Sequence, residues 1–332
     1  MTARRLSIAR LATLLVAAVL PWLDTSGAAR AQDGEAGYPS RAIKLVVGFA
    51  PGGATDLLAR AVAQKLGEQL KQPVVVENRP GGGSLVAAEG VARAAPDGYA
   101  LLMGPSGPLV FAPAVYSKLP YDPRTSFTPI GIVAAYPLVL VVDADQPVTS
   151  VAELVAFAKA HPDKANYASS SALFQLSTEL FKARTGAPAE HIPFKGSLEA
   201  VTAMMKGEVL MALIDPGPAL PQVKSGKLRL LAHTGTGPSP DYPGTPSLSG
   251  MGIDVVVEVF CGVLGPAGLP AGIVERLETE LAAIRRMPDF VARLHSISLP
   301  VAGSTAKSFS DVIAREIPLW QSVAQAANIK LD

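Results

Sequence analysis

The turns that lead into predicted helices carry the residues best suited to binding chemistry. Residues 51–56 read Pro-Gly-Gly-Ala-Thr-Asp and follow an apolar run of strand length. Adjacent glycines leave main-chain N–H groups accessible, and the next helix directs unpaired N–H groups and its positive end to the same place. A carboxylate is the natural occupant of such a site. The alternative interpretation is that Gly52 and Gly53 only shape a tight turn, while Asp56 offsets the helix dipole.

Two further turns have the same character. Gly81-Gly82-Gly83-Ser84 opens a second predicted helix, and Ser169-Ser170-Ser171 opens another. Serine hydroxyls at such positions either cap the helix or donate to a ligand oxygen. The sequence leaves both interpretations open.

Signatures of catalysis, nucleotide binding and metal binding are missing from the sequence. Residues 104–107 lack the spacing of a nucleophile elbow, and residues 52–56 lack that of a phosphate-binding loop. The four histidines are far apart, with no cysteine at ligand spacing. We therefore predict no catalytic residue, no metal site and no cofactor. A hydrolase that uses Ser171 or Cys261 is the alternative, although Cys261 lies in an apolar run, where cysteine is typically a small buried side chain.

Composition argues against other classes of protein. The chain has 29 basic and 28 acidic residues, so its net charge of +1 provides no field that would gather nucleic acid. Aromatic residues make up 6%, which argues against a stacking surface for single strands. Hydrophobic residues make up 49% of the sequence, which indicates a globular protein. The length of 332 residues suggests two domains.

The first residues have the order of a signal peptide. Three arginines precede an apolar run over residues 11–23, and Ala29-Arg30-Ala31 fits the small-residue rule for cleavage. An anchoring helix is the alternative, but a membrane span needs about 20 apolar residues and this run is shorter. We predict that residues 1–31 are removed on export and that the mature protein begins at Gln32 in the periplasm.

Strands alternate with helices along the rest of the chain, which predicts parallel sheets. Ile43 to Phe49 is a predicted strand followed by a turn and a helix, and the unit repeats after Val74 to Val76. Right-handed crossovers bring such turns to the carboxyl ends of the strands, where open α/β sheets bind ligands. Residues 105–129 and 235–252 are rich in proline and glycine and are predicted to be irregular connections.

Two apolar strands divide the chain into lobes. Leu138 to Val142 and Val255 to Leu264 lie where the lobes would join, and we predict that they cross between them. The first lobe then comprises residues 38–138 and 260–332, and the second comprises residues 139–259.

Several longer strings of residues occur in order along the mature chain. They are Tyr38-Pro39-Ser40-Arg41, Val46 to Arg60, Glu77 to Ser84, Pro96-Asp97-Gly98-Tyr99, Ile192 to Gly196, Gly226-Lys227-Leu228-Arg229 and Pro266 to Pro270. At these residues the chain resembles the substrate-binding components of tripartite tricarboxylate transporters, the Bug or TctC-like family. The resemblance covers essentially the whole mature chain.

The resemblance implies an α/β, two-lobed periplasmic-binding-protein fold of type II, a Venus flytrap with two crossing hinge strands. It implies a monomer that holds a small carboxylate in its cleft and delivers it to membrane permease subunits, with no nucleic acid partner. The residues expected at the ligand are Phe49, Pro51, Gly52, Gly53, Ala54, Thr55, Asp56, Gly82, Gly83, Ser106, Ser169, Ser170, Ser171, Lys195 and Asp215.

Two stretches depart from the usual pattern of that family. The family usually has a glycine-serine stretch and a histidine where this chain has Ala168 to Gln175, and a tryptophan near Val259 to Gly262. Both departures fall where the body of the ligand is expected, so the identity of the carboxylate stays open. A ligand-dependent sensor without a permease is a further alternative.

Overall fold

Two five-stranded sheets form the framework of the computed structural model. The structure describes residues 37–194, 196–239, 241–297 and 299–331, so the predicted signal peptide lies outside the described residues. Both sheets belong to one unit that begins at Pro39. None of the helices within the described ranges is long and apolar enough to cross a membrane.

The strands are numbered in chain order. They are β1 (Ile43–Val47), β2 (Val74–Asn78), β3 (Ala100–Pro105), β4 (Phe127–Pro137), β5 (Val139–Asp143), β6 (Asn166–Ser169), β7 (Glu190–Pro193), β8 (Met211–Ile214), β9 (Leu228–His233) and β10 (Glu258–Pro266).

The helices are numbered in the same way. They are α1 (Ala54–Leu70), α2 (Leu85–Ala92), α3 (Ala112–Val115), α4 (Val151–Ala160), α5 (Ala172–Thr185), α6 (Ser197–Met205), α7 (Pro216–Lys224), α8 (Ala271–Ile284), α9 (Pro288–Ser296) and α10 (Ala306–Ala326). Local sequence sets several of their ends. The Ser150 side chain accepts a hydrogen bond from the Glu153 N–H at the start of α4, and Thr305 and Ser308 form a capping box at the start of α10.

The first sheet has the strand order β2-β1-β3-β10-β4 and the second has the order β7-β6-β8-β5-β9. Both sheets are mixed, so the prediction of parallel sheets is wrong for β5 and β10. Each of these two strands runs antiparallel to both of its neighbours. The reason for β5 is that only Leu138 separates it from β4, so no crossover helix sets its direction.

Residues 105–129, predicted to be irregular, contain ordered elements. A π-helical turn at Gly107–Phe111 leads into α3, and Leu109, Val110 and Phe111 are buried. The sequence also gave no clear signal for β4, which contains Pro129 and Gly131. β4 forms because β10 pairs with it along its whole length.

Thr234 holds together the two passages between the sheets. Its buried hydroxyl accepts a hydrogen bond from the Leu138 N–H at 2.9 Å and donates to the Val257 carbonyl at 2.6 Å. Its backbone N–H donates to the Leu138 carbonyl, and its carbonyl accepts from the Val257 N–H. Leu138 directly precedes β5, and Val257 directly precedes β10. Thr234 therefore links the two predicted crossing strands at their first residues.

Thr234→Val should lower the free energy of unfolding by about 1 to 3 kcal/mol, because it leaves the buried Leu138 N–H without its acceptor while keeping the side-chain shape. Denaturation in urea measures the change. Thr234→Ser is the control, since it keeps the hydroxyl. Equal stability of the valine variant and the wild type would contradict this account of the crossing.

Candidate functional site

The carboxyl ends of the parallel strands in both sheets lie toward the crossing. In the second sheet, the last residue of β8, Ile214, pairs with Val139, which follows the crossing residue Leu138. In the first sheet, the last residue of β3, Pro105, pairs with Cys261 near the start of β10. Ligands of open α/β sheets bind outside the carboxyl ends of strands. The crossing is therefore flanked by two edges that are each suited to binding.

The predicted site residues divide between these two edges. In the first lobe, Phe49 to Asp56 follow β1, Gly82 and Gly83 follow β2, and Ser106 follows β3. In the second lobe, Ser169 ends β6, Ser170 and Ser171 precede α5, and Asp215 follows β8. Lys195 lies outside the described residues. Contact of these residues with a ligand stays a prediction.

The side chain of Asp56 is turned into the protein and is 1% exposed. Its carboxylate accepts hydrogen bonds from the Gly52 N–H at 2.9 Å, from Asn78 Nδ2 at 2.9 Å, and from Arg60 at 2.9 and 3.0 Å. Asn78 Nδ2 also lies 3.0 Å from the Phe49 carbonyl. Asp56 therefore shapes the turn from inside, and the Gly52 N–H, which the sequence suggested for the ligand, is occupied by Asp56.

The environment of Asp56 favours its ionised form. Burial alone would raise the pKa of its carboxyl, but the hydrogen bonds from Arg60, Gly52 and Asn78 outweigh burial and hold the pKa below its ordinary value. Gly52 supports this arrangement with a left-handed φ of 88°, which an ordinary residue adopts only under strain.

The open part of the turn is the start of α1. Gly53 is the N-cap residue, with an extended φ of −76° and ψ of 166°, and no side chain caps the helix. Within the described part of the chain, the N–H groups of Ala54 and Thr55 have no acceptor. The residues around them, from Phe49 to Ala54, are exposed. The arrangement presents N–H donors and the positive end of a 17-residue helix to an anion.

The second glycine turn packs against the first. Gly82, Gly83 and Ser84 all have left-handed φ values, of 54°, 63° and 81°. Ser84 is fully buried, and a side chain at Gly48 would overlap it. Gly82 and Gly83 are exposed at the same edge. The strained conformation of Ser84 is therefore fixed by close backbone packing next to the turn that follows β1.

The serines of the second lobe have different surroundings. Ser169 is buried, and its Oγ lies 2.7 Å from Nε2 of His191. Burial lowers the pKa of His191, which favours the neutral ring. Ser171 is exposed at the N-cap of α5 and makes no side-chain capping bond. Ser106 in the first lobe is fully buried, and its hydroxyl has no partner among the described residues.

Ser170 and Asp215 belong to one hydrogen-bonded group through a residue that the sequence analysis missed. Ser197, the first residue of α6, donates to Asp215 Oδ1 at 2.6 Å, and its Oγ lies 3.3 Å from Ser170 Oγ. Burial raises the pKa of Asp215, which the bond from Ser197 only partly opposes. The signal for Ser197 was present, since Gly196-Ser197 also follows a strand and begins a helix.

Tyr136 is a second residue that the sequence analysis missed. It lies in β4, two residues before the crossing, and burial and the charge of Asp215 both raise the pKa of its hydroxyl. The charge of the second-lobe group is therefore felt by a residue of the first lobe. No pattern in the sequence marked it, because β4 itself was not predicted.

Potential metal ligands do not gather in the described ranges, where no group of three or more His, Cys, Asp or Glu residues could hold an ion. Cys261 is 5% exposed, and burial raises the pKa of its thiol strongly. The groups that the two edges offer for binding are the N–H donors at the start of α1 and the hydroxyl and carboxylate oxygens around Asp215.

Asp56→Asn should lower the free energy of unfolding at pH 7 by about 2 kcal/mol, because it removes the charge from a buried hydrogen-bonded group. The pKa of Asp56 is lower in the native protein than its ordinary value of 3.8, so the stabilisation is present above that value. It is lost as the pH falls through the lower native pKa. Urea denaturation at pH 7, 5, 4 and 3 should show the gap to wild type closing in acid.

The exposed residue Asp163 provides the control. Asp163→Asn should leave the free energy of unfolding close to wild type at each pH. A gap for Asp56→Asn that stays constant from pH 7 to 3 would contradict the assigned charge.

Comparison with known proteins gives a consistent picture. The model of the tripartite tricarboxylate transporter family receptor, TctC, matches residues 58–329. Protein BugT of Bordetella pertussis (strain Tohama I) is 32% identical over 323 residues, which cover 96% of this chain and 99% of BugT.

Two solved structures share the fold. Rpa4515 of R. palustris, solved with adipate, has a TM-score of 0.79 and 33% identity over 88% of this chain and 99% of that chain. MatC (Rpa3494) of Rhodopseudomonas palustris, solved with bound malate, has a TM-score of 0.74 and 28% identity over 86% of this chain and 99% of that chain.

These similarities confirm two predictions made from the sequence. The fold is the two-lobed α/β fold of periplasmic solute-binding proteins. The family suggested by the strings of residues is also confirmed, since its model matches most of the chain. This chain belongs to the tripartite tricarboxylate transporter receptor family, TctC.

Proposed function

We propose that this protein is an exported receptor that binds a small carboxylate between its lobes and delivers it to the permease subunits of a membrane transporter. Binding would favour the closed arrangement, because only there do both lobes contact the ligand. The single observation that carries the proposal is the geometry of Gly53 at the start of α1.

Gly53 is a glycine that the fold does not require. Its φ of −76° and ψ of 166° suit any residue, and a Cβ built there would meet only the Ala50 carbonyl, at 3.7 Å. Serine, threonine, asparagine or aspartate at an N-cap normally stabilises a helix. A bare N-cap instead leaves the N–H groups of Ala54 and Thr55 free, which suits a site for an external carboxylate.

The comparisons support the class of ligand and the type of partner. The relative structures described above hold adipate and malate, which are both small carboxylates. The family is named for its role as a receptor in a tripartite transporter. The predicted signal peptide agrees with delivery in the periplasm. We extend these properties to this chain, as a monomer, on the strength of its exposed helix start.

A hydrolase on the same scaffold is the main rival. Ser169 and His191 lie within hydrogen-bond distance, which is the contact that a serine nucleophile needs. Ser169 is 4% exposed, however, and the buried ring of Tyr167 stacks against the half-buried ring of His191. Cys261 is also buried, and Ser171 makes no bond to a base within the described residues. These surroundings favour binding without turnover.

A thermal-shift screen of the mature chain from Gln32 against mono-, di- and aromatic carboxylates tests the proposal. We expect saturable stabilisation by one class, confirmed by calorimetry, with the ligand recovered unchanged. Conversion of the ligand would support the hydrolase. A sensor would bind in the same way, and pull-down with the permease subunits separates it from a transport receptor.

Gly53→Val should reduce carboxylate affinity more than tenfold, or by more than about 1.4 kcal/mol, because the side chain covers the N–H groups. Gly53→Asp should have the same effect for a different reason, since its own carboxylate would cap α1. Calorimetry measures both affinities. Thermal denaturation without ligand should show Gly53→Asp to be at least as stable as wild type.

Gly37→Val is the matched control, because Gly37 is also exposed with open space around its Cα. It should change neither affinity nor stability. Wild-type affinity in both Gly53 variants would contradict the proposal that the carboxylate binds at the start of α1.

A further inference from the structure

Three side chains at the edge of the second lobe form a hydrogen-bonded group. Ser170 follows β6, Ser197 begins α6, and Asp215 follows β8, so three separate elements converge. Ser170 Oγ lies 3.3 Å from Ser197 Oγ, and Ser197 Oγ lies 2.6 Å from Asp215 Oδ1. This arrangement goes beyond helix capping, because the side chain of Asp215, the N-cap residue of α7, makes no capping bond to its own helix.

The hydroxyl hydrogens of Ser170 and Ser197 have one consistent arrangement when Asp215 is ionised. A serine hydroxyl has a single hydrogen, and that of Ser197 is used by Asp215, which as a carboxylate only accepts. Ser170 must then donate its hydrogen to Ser197. The remaining capacity of the group is the lone pairs of Ser170 and the second oxygen of Asp215. The second lobe therefore presents acceptors toward the crossing.

The charge of Asp215 also lacks a counter-charge in the part of the chain that the structure describes. No lysine, arginine or histidine within those ranges forms an ion pair with it. A partly buried carboxylate without a cation is unfavourable unless donors satisfy its oxygens. Ser197 donates to Oδ1, and the backbone N–H of Asp215 also favours the carboxylate and lowers its pKa. Asp215 directly follows Ile214, which pairs with Val139 beside the crossing, and its charge raises the pKa of Tyr136 on the first-lobe side of the crossing.

The first lobe presents groups of the opposite kind to Ser170 and Asp215. At the start of α1 it presents N–H donors and the positive end of the helix dipole, which suit a carboxylate. A ligand that contacts the start of α1 at one end and Ser170 and Asp215 at the other must therefore offer acceptors at the first end and a donor at the second. A second carboxylate of the ligand in contact with Asp215 would be repelled by the negative charge of the Asp215 side chain.

We propose that Ser170 and Asp215 form an acceptor subsite, and that the ligand is a carboxylate that also carries a hydroxyl or ammonium group. This inference rests on the proposed function, because it takes the start of α1 as the carboxylate site. Ser197 is a positioning residue, since it acts by fixing the hydrogen of Ser170 and one oxygen of Asp215.

The test is calorimetry of the mature chain with matched acids that differ only at carbon 2. Succinate, malate and aspartate carry hydrogen, hydroxyl and ammonium there, and propionate, lactate and alanine form a shorter set. We expect a substituted acid to bind at least tenfold more tightly than its parent. Preference for malate or lactate would identify a hydroxyl ligand, and preference for aspartate or alanine an ammonium ligand.

Asp215→Asn and Ser170→Ala test the residues. Asp215→Asn should reduce the preference to less than about threefold, because the amide replaces an acceptor oxygen with an NH₂ donor. Ser170→Ala should reduce it partly, and the exposed control Asp163→Asn should leave it unchanged. Equal or tighter binding of succinate and propionate in the wild type would overturn the inference even if a variant failed to fold.

The two proposals fail in different ways. Binding of unsubstituted acids alone would overturn the acceptor subsite and leave the carboxylate receptor standing. Binding of none of the six acids, nor of any other carboxylate in the thermal-shift screen, would overturn the receptor, and the subsite with it.

Discussion

The pairing of buried polar groups around Thr234 is the constraint on which the rest of the structure depends. A chain built on two sheets must pass between them twice, and each passage takes backbone N–H and carbonyl groups out of water, where they need partners. Thr234 satisfies groups of Leu138 and Val257 with both its backbone and its hydroxyl. Because both edges proposed to bind the ligand adjoin this crossing, its geometry sets where the two halves of the proposed site can meet.

The two halves are held in different ways. In the first lobe, Asp56 and Gly52 fix the turn from inside, so the N–H groups at the start of α1 are in place before any ligand arrives. In the second lobe, Ser170 reaches Asp215 only through Ser197, over a longer and weaker contact. The first edge is therefore held by more and shorter hydrogen bonds than the contact of Ser170 with Ser197 in the second.

Sequence patterns predicted the elements whose own residues determine them. β1 lies within the strand predicted over Ile43 to Phe49, and β2 begins at Val74, where the unit was predicted to repeat. β4 was missed because its hydrogen bonds come from a distant strand, and strand direction depends on pairing rather than on local sequence. The turn at residues 51–56 was located correctly, but the use of the Gly52 N–H by Asp56 depends on Asn78, far along the chain, which no spacing rule includes.

The position of β10 has a consequence for folding. β4 is an edge strand of the first sheet, and the strand that pairs with it along its whole length is β10, although the whole second lobe lies between them in the chain. The first sheet therefore cannot be completed until the residues after Val257 are available, and its formation requires closing a long loop. A nascent chain would keep β4 without this partner until the second lobe and β10 have been synthesised. The order of the strands along the chain thus delays completion of the first sheet, whose first three strands come before the second lobe.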